Sequence, residues 1–419
     1  MPAPAAATGS VAAVPTPADE RPTLLVTLVG KDRPGLTSAI FSALDVHVVE
    51  VLDIEQVLLR RRLVLGVLVT RPRDVAGVTR AVQQVAAGLG LDVDIETGTG
   101  DNQPRREGRS HVTVLGTPLQ PAAVSAIAGR ISDTGANIDR IVRMARYPVT
   151  AIELDVSGAD PQRLRSILAA EAAAQQVDVA VQPAGLLRHG RKLIVMDVDS
   201  TLVQGEVIEM LAAHAGTADQ VRDVTERAMR GELDFAESLV QRVQTLAGLD
   251  AKAIDEVYAA IELAPGARTL VRTLRSLGYR FAIVSGGFSQ ITDRIAADLG
   301  IHYAAANRLE VVDGRITGRI TGPLVDRAGK ADALRRFAAE AGVAISHTVA
   351  IGDGANDLDM LTAAGLGVAF NAKPVVQQAA DTSVNVPYLD TIAYLLGITR
   401  EEIEAVDAES GRVTPAPPV

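Results

Sequence analysis

The stretch LIVMDVDSTLVQGE, residues 193–206, runs four apolar residues into Asp197 and Asp199, two aspartates spaced by one residue. An apolar run without alternation reads as a strand buried on both faces, and a strand of a parallel sheet delivers its carboxyl-end side chains to the crevice where ligands bind. Further on, IVSGG ends a second run at Ser285, and AIGDGANDLDM carries Asp353, Asn356 and Asp357 after a third. Lys330 lies at the start of the helix before that third run. All seven residues can converge on one crevice. Carboxylates gathered there repel one another, which is costly unless something cationic is bound. Oxygen ligands with no His or Cys nearby select a hard ion, and a shell that keeps water and a phosphate oxygen suits Mg²⁺ better than Ca²⁺. A hard cation, a lysine and Gly-rich strand ends with free N–H groups make an electropositive pocket for phosphate, so the chemistry is phosphoryl transfer.

Those residues need a doubly wound α/β sheet to hold them. From about residue 190, strands alternate with long helices, which predicts parallel strands at LIVMD, RFAIVS, TVAIG, GLGVAF and TSVNV. The first two are separated by far more chain than one crossover helix requires, and the segment at about 205–263 is helical in pattern, as expected of a cap inserted after the first strand. Asp313-Gly314 between two alternating runs predicts a hairpin with a primed turn.

The half before residue 190 has a different texture. Strand, helix, strand, strand, helix, strand is read over 21–100 and again over 108–184, with a polar, Gly-rich linker between; an internal repeat of βαββαβ predicts two ferredoxin-like modules in tandem. The full expectation is a leader without structure over 1–20, two modules, a phosphatase-type domain over 190–400 and a tail over 401–419.

The composition narrows the partners. At 419 residues the chain is long enough for two or three cores, and a net charge of -10 with no basic stripe disfavours nucleic acid. The absence of cysteine removes disulfides, thiolate nucleophiles and thiolate zinc sites and fits a reducing cytoplasm. No uncharged apolar run approaches the roughly 20 residues of a membrane span.

DVDSTL, VSGG, Lys330 and GDGANDLDM, in that order, resemble the signature motifs of the haloacid dehalogenase superfamily over about residues 190–397. The resemblance implies that Asp197 attacks phosphorus, that Asp199 serves as general acid and base, and that Mg²⁺ is held by the Asp197 and Asp353 carboxylates and the Asp199 backbone carbonyl, with Asp357 orienting nearby. It also implies that Ser285, Gly286, Lys330 and Asn356 hold the phosphoryl oxygens. Within the cap, QGEVIEML and FAESLVQRV resemble the phosphoserine phosphatase branch. That likeness implies that Glu206 takes a substrate ammonium and Arg242 its carboxylate, with Met210 and Phe235 excluding water. LVGKDRPGLTSAI resembles the opening loop of an ACT domain, a module that binds amino acids and works by pairing. Gly30, Asp32 and Gly35 would lie at its effector turn and Gly116 at the corresponding place in the second copy, where Asp-Arg-Pro-Gly is missing. The implied enzyme is a homodimer that hydrolyses O-phospho-L-serine and answers to L-serine.

Each residue also has a plainer reading. The aspartate pair could be solvated acids of a strand-end turn, Lys330 a surface residue, Asp357 a helix cap, Glu206 and Arg242 solvated charges of the cap, and Met210 and Phe235 cap core. Pro34 suits a first helical turn. The six histidines form no ligand-spaced cluster and read as structural or exposed. Competing functions are another small phosphomonoesterase, a transferase to an alcohol such as homoserine, and an amino-acid sensor with an inert phosphatase half.

Overall fold

The computed structural model describes residues 21–100, 108–185, 187–190, 192–230 and 232–414. The chain forms two compact units, Met1–Arg105 and Arg106–Val419. The expected leader and the middle of the expected linker lie outside the described residues.

In the first unit, β1 (Pro22–Lys31), α1 (Leu36–Asp45), β2 (Val51–Leu59), β3 (Arg62–Thr70), α2 (Val75–Leu89) and β4 (Leu91–Thr99) give the expected βαββαβ order. The strands form an antiparallel sheet β2-β3-β1-β4. Alternate residues of β1 and β3 (Leu24, Val26, Leu28; Leu63, Leu65, Val67) share a core with Ile40 and Leu44 of α1 and Val78 and Val82 of α2, so the two-residue period of the strands meets the helical period across one face. Pro34 is not in the first turn of α1. The helix starts at Leu36 behind Gly35, whose φ of 87° is the left-handed conformation that glycine adopts without a side-chain clash.

The second unit begins with the repeat: β5 (Ser110–Gly116), α3 (Pro121–Asp133), β6 (Asn137–Ala145), β7 (Thr150–Ser157), α4 (Pro161–Gln175) and β8 (Asp178–Pro183). After α5 (Leu187–Gly190) come β9 (Leu193–Met196), the cap helices α6 (Val207–Ala215), α7 (Ala218–Met229), α8 (Phe235–Gln244) and α9 (Lys252–Ala260), then α10 (Ala267–Ser276), β10 (Arg280–Phe288) and α11 (Ser289–Leu299). The hairpin β11 (Tyr303–Val312) and β12 (Arg315–Thr321) turns at Asp313 and Gly314, both at positive φ, as a primed turn requires. The chain closes with α12 (Arg327–Ala341), β13 (Thr348–Gly352), α13 (Leu358–Ala363), β14 (Leu366–Phe370), α14 (Pro374–Ala379), β15 (Thr382–Val384), α15 (Ile392–Leu395) and α16 (Arg400–Glu409).

Strands β10, β9, β13, β14 and β15 are parallel neighbours. Along β9, Ile194 and Met196 enter one core while Leu193 and Val195 enter the other, which is why its sequence is apolar without alternation. The second module has the expected βαββαβ order, and its β8 also pairs antiparallel with β15 at Ala180 and Thr382, so among the described residues one eleven-stranded sheet runs β12-β11-β10-β9-β13-β14-β15-β8-β5-β7-β6. The segment from 401, expected as a tail, begins with the remainder of α16, with Ile403 buried and Asp407 bound by Arg272 of α10 at 2.8 and 2.6 Å.

Candidate active site

The bend that brings Asp197 and Asp199 to one place lies directly after β9. The Val198 carbonyl accepts from the N–H groups of Leu202 and Val203 at 2.9 Å, and Ser200 takes a left-handed φ of 58° to complete the turn. For a residue with a Cβ that conformation costs roughly 1–2 kcal/mol, a strain held by the surrounding hydrogen bonds. The cap leaves and returns beside this turn through a short ribbon, with Val203 bridged to Leu263 and the Gln204 N–H donating to the Glu262 carbonyl at 2.8 Å. Whatever moves the cap therefore pulls directly on the aspartate turn.

Carboxylate oxygens of Asp197, Asp353 and Asp357 all lie within 4.8 Å of one another. The Lys330 ammonium, fully buried, donates to Asp197 at 2.6 Å and to Asp357 at 2.7 Å. Asp357 also accepts from the Gly354 N–H at 3.0 Å, and the Thr201 hydroxyl donates to Asp353 at 3.1 Å. One ammonium among three carboxylates leaves the nest short of positive charge. Burial, then Asp357, push the Asp197 carboxyl well above the usual carboxylate range, while Lys330 pulls the other way. Burial and Asp357 likewise raise Asp353 to about 6. Burial opposes the charge on Lys330, but Asp197 and Asp357 outweigh it and hold the ammonium above its ordinary value. Lys330 and Asp197 thus both favour the protonated form, where a simple ion pair would lower the acid. Two acids serve one base, so the ammonium stays charged while the acids are raised. These three carboxylates fit a hard divalent cation.

Asp199 faces the other side of the crevice. Its carboxylate accepts from the Val207 N–H at 2.8 Å and from the Ser285 hydroxyl at 2.9 Å, and Ser285 Oγ accepts from the Gly287 N–H at 2.7 Å. The glycines after Ser285 are fixed by close approach. A Cβ on Gly287 would stand 2.9 Å from both Asp199 Oδ2 and Ser285 Oγ, and one on Gly286 would stand 2.8 Å from the tip of the Phe235 ring. Asn307 of β11 donates to the Gly286 carbonyl at 2.9 Å and anchors this loop.

A cleft of about 430 Å³ opens over these groups, lined by Asp197, Asp199, Glu206, Phe235, Arg242, Gly286, Asp353 and Asn356 among others. Ser285, Lys330 and Asp357 stand behind its wall, fully buried. Phe235 and Arg242 are seven residues apart on α8 and so share a face. Glu206, at the start of α6, meets Arg242 at 3.4 Å. Burial, then Asp199, raise the Glu206 pKa, with Arg242 opposing. The Arg242 Nε is buried without a hydrogen-bond partner, a donor left over for a ligand. Met210, on cap helix α6, packs against the apolar core and is not among the lining residues, where Ile208 stands instead.

Sequence reasoning missed Thr201, Asn307 and the cleft wall at Lys373 and Val375. Thr201 sits inside the DVDST motif and was legible in principle; Asn307 and the wall follow only from strand order. Of the effector candidates, Gly30 lies one residue before the end of β1 against Leu91, Gly116 ends β5 against Leu119, and Asp32 donates its N–H to the Arg61 carbonyl at 2.8 Å. A cavity on the sheet of the first unit is lined by Thr23, Leu25, Asp53, Glu55 and Glu96 among others, and by none of Gly30, Asp32 and Gly35.

Comparison with known proteins agrees with this arrangement. Residues 194–362 match the model of the haloacid dehalogenase-like hydrolases, and residues 22–96 and 109–182 each match an ACT domain model. The chain is 62% identical to a phosphoserine phosphatase of Streptomyces coelicolor, over 92% of this chain and 95% of that one. It is 55% identical to phosphoserine phosphatase SerB2 of Mycobacterium tuberculosis, over 92% and 95% of the two chains. Among solved structures, a probable phosphoserine phosphatase from Vibrio cholerae, in unliganded form, superposes with a TM-score of 0.56 at 34% identity, over 71% of this chain and 88% of that one.

Proposed function

The chain belongs to the phosphoserine phosphatases of the haloacid dehalogenase-like hydrolases, those preceded by ACT domains, and from that premise we propose that it hydrolyses O-phospho-L-serine to L-serine and phosphate through a phosphorylated Asp197. The observation that carries this reading is one cleft holding a carboxylate nest at its floor and a Glu206–Arg242 pair in its cap. The ammonium and carboxylate of a zwitterionic amino acid phosphate are complementary in charge to Glu206 and Arg242, and its phosphate would be complementary to the nest once a divalent cation sits there.

Asp197 Oδ forms a bond to phosphorus as the ester P–O bond breaks, and Asp199 hands its proton to the departing serine oxygen. A water then attacks phosphorus, giving its proton to Asp199, and the Asp197–phosphorus bond breaks to release phosphate. Lys330 stabilises Asp197 in its attacking orientation, and Gly286 and Asn356 face the phosphoryl oxygens from the cleft wall. Ser285, engaged with Asp199 in this structure, joins them by turning its hydroxyl. Asp197, Asp353 and the Asp199 carbonyl, with Asp357 beside them, would hold Mg²⁺, which would neutralise charge on the transferred group. In the cap, Arg242 with its spare Nε takes the substrate carboxylate, Glu206 takes the ammonium, and Phe235 excludes water over Gly286.

L-serine acting through the ACT domains as feedback effector, and pairing of two copies through them, complete the reading. Exposed apolar side chains of the first unit, Ile54, Val57, Leu58 and Leu59, support the pairing. Absence of cysteine fits a cytoplasmic location.

The test is phosphate release from a panel of esters, with and without Mg²⁺ and L-serine, for wild type and Asp197→Asn. Selective, Mg²⁺-dependent turnover of O-phospho-L-serine that vanishes in the variant is expected. Turnover of that ester no faster than of unrelated monoesters would overturn the substrate assignment. If L-serine changed neither rate nor melting temperature, the feedback reading would fail.

A further inference from the structure

The cleft wall at Lys373 and Val375 is tied to the second βαββαβ module by an unbroken run of hydrogen bonds. Asp178, the first residue of β8, is buried, and its carboxylate accepts from the Asn385 side-chain amide at 2.7 Å and from the backbone N–H groups of Asn385 and Val386 at 2.7 and 3.1 Å. The Asn385 side-chain oxygen accepts from Gln377 Nε2 at 2.8 Å, and the same amide group donates to the Ala372 carbonyl at 2.6 Å. Ala372 immediately precedes Lys373. Asn371, held at a left-handed φ of 48°, donates its N–H to the Val384 carbonyl at 2.8 Å, so the segment is pinned to β15 at its other end. Asn adopts that conformation more readily than other residues with a Cβ, and it turns the chain here between β14 and α14.

We propose that Asp178, Asn385 and Gln377 are positioning residues for the phosphatase reaction, through which the second module fixes the cleft wall at Lys373 and Val375. The proposal rests on the reading of the cleft as the phosphoserine site. None of the three residues lines the cleft. Their effect passes through the wall, whose Lys373 and Val375 line the same cleft as Glu206 and Arg242. A wall that drifts reshapes the cleft on the side that binds the amino-acid part of the substrate, so substrate affinity changes before chemistry does. The second module is then a structural part of the catalytic unit, joined to its sheet where β8 pairs with β15 at Ala180 and Thr382.

The experiment compares wild type with Gln377→Ala, Asn385→Ala, Asp178→Ala and the double variant Asp178→Ala/Gln377→Ala, all full length, by steady-state kinetics on O-phospho-L-serine and by thermal melting. Gln377 and Asn385 are solvent-accessible in part, and their variants test the relay even if loss of buried Asp178 impairs folding. The expected result is a rise in KM of roughly three- to tenfold, the worth of one net hydrogen bond, with kcat within about twofold. Gln377→Glu, which loses the amide donor, should behave as Gln377→Ala does. The double variant should show no greater KM than its worse parent, because both substitutions cut one chain of contacts. Unchanged KM in Gln377→Ala and Asn385→Ala, or strictly multiplicative effects in the double variant, would overturn the relay while leaving the substrate assignment intact. A wild type inert toward O-phospho-L-serine would instead remove the premise on which the relay stands.

Discussion

Asp197 and Asp357 share one ammonium while Asp353 stands in the same nest without it, and that imbalance makes each of them a test of the site. Replacing Asp353 with Asn removes a like charge, so the metal-free protein should melt no lower than wild type, whereas the rise in melting temperature on adding Mg²⁺ should be lost. Differential scanning fluorimetry with and without Mg²⁺ checks both halves. Removing the ion from wild type with a chelator should abolish phosphate release, and restoring it should recover the rate. Gly287→Ala places a methyl group 2.9 Å from both Asp199 Oδ2 and Ser285 Oγ. The Ser285–Asp199 hydrogen bond must then break or the loop must move. A loss in kcat/KM on the order of 10- to 100-fold, about 1.4–2.7 kcal/mol of transition-state stabilisation, is expected with circular dichroism unchanged.

At the scale of elements, α16 belongs to the catalytic unit because Asp407 clamps it to α10. Burial works against ionisation of Asp407, but the hydrogen bonds from Arg272 and Thr414 outweigh it and hold the carboxyl below its ordinary value. With a depressed native value, the stabilisation is complete above the unfolded pKa of about 3.9 and is lost as pH falls through the native value. Thermal melts from pH 7 down to 3 should therefore show a steeper fall below pH 4 for wild type than for Asp407→Asn. At pH 7 the variant should be less stable by about 1–3 kcal/mol, the range for hydrogen bonds to charged groups. The sequence hid this contact. Arg272 and Asp407 are 135 positions apart, and an acid among the charges of REEIEAVDAE reads as a solvated helix face.

Across the whole molecule, the two modules of the repeat have different standing. The first has its own closed core of strand and helix residues, so a chain starting at Arg106 should retain phosphatase activity while losing whatever response to L-serine and self-association depend on the first module. Assays of phosphate release and analytical ultracentrifugation of that shortened chain measure both. A chain starting at Lys192 should fare worse. It would strip β8 from β15 and leave the N–H groups of Asn385 and Val386 without the Asp178 carboxylate. It would also take away Arg188, which is buried against Glu153 of β7 and donates to the Leu395 carbonyl at 3.1 Å. An exposed sheet edge and unsatisfied backbone donors and acceptors predict lower solubility and a lower melting point.

What the sequence determined by itself was whatever depends on short-range pattern. The apolar run before Asp197, the two-residue turn at Asp313-Gly314 and the repeated βαββαβ order are local, because hydrophobic period and turn chemistry act over a few residues. The order of the acidic motifs even placed Asp197, Asp353 and Lys330 together, since parallel strands of one sheet must end on the same side. The tertiary structure alone decided the side-by-side pairing of β8 with β15, the left-handed turn at Ser200, the anchor at Asn307 and the clamp of Arg272 on Asp407. Each of these joins groups distant in the chain or strains a residue that has no intrinsic preference for the conformation, and such energies exist only once the packed neighbours are in place.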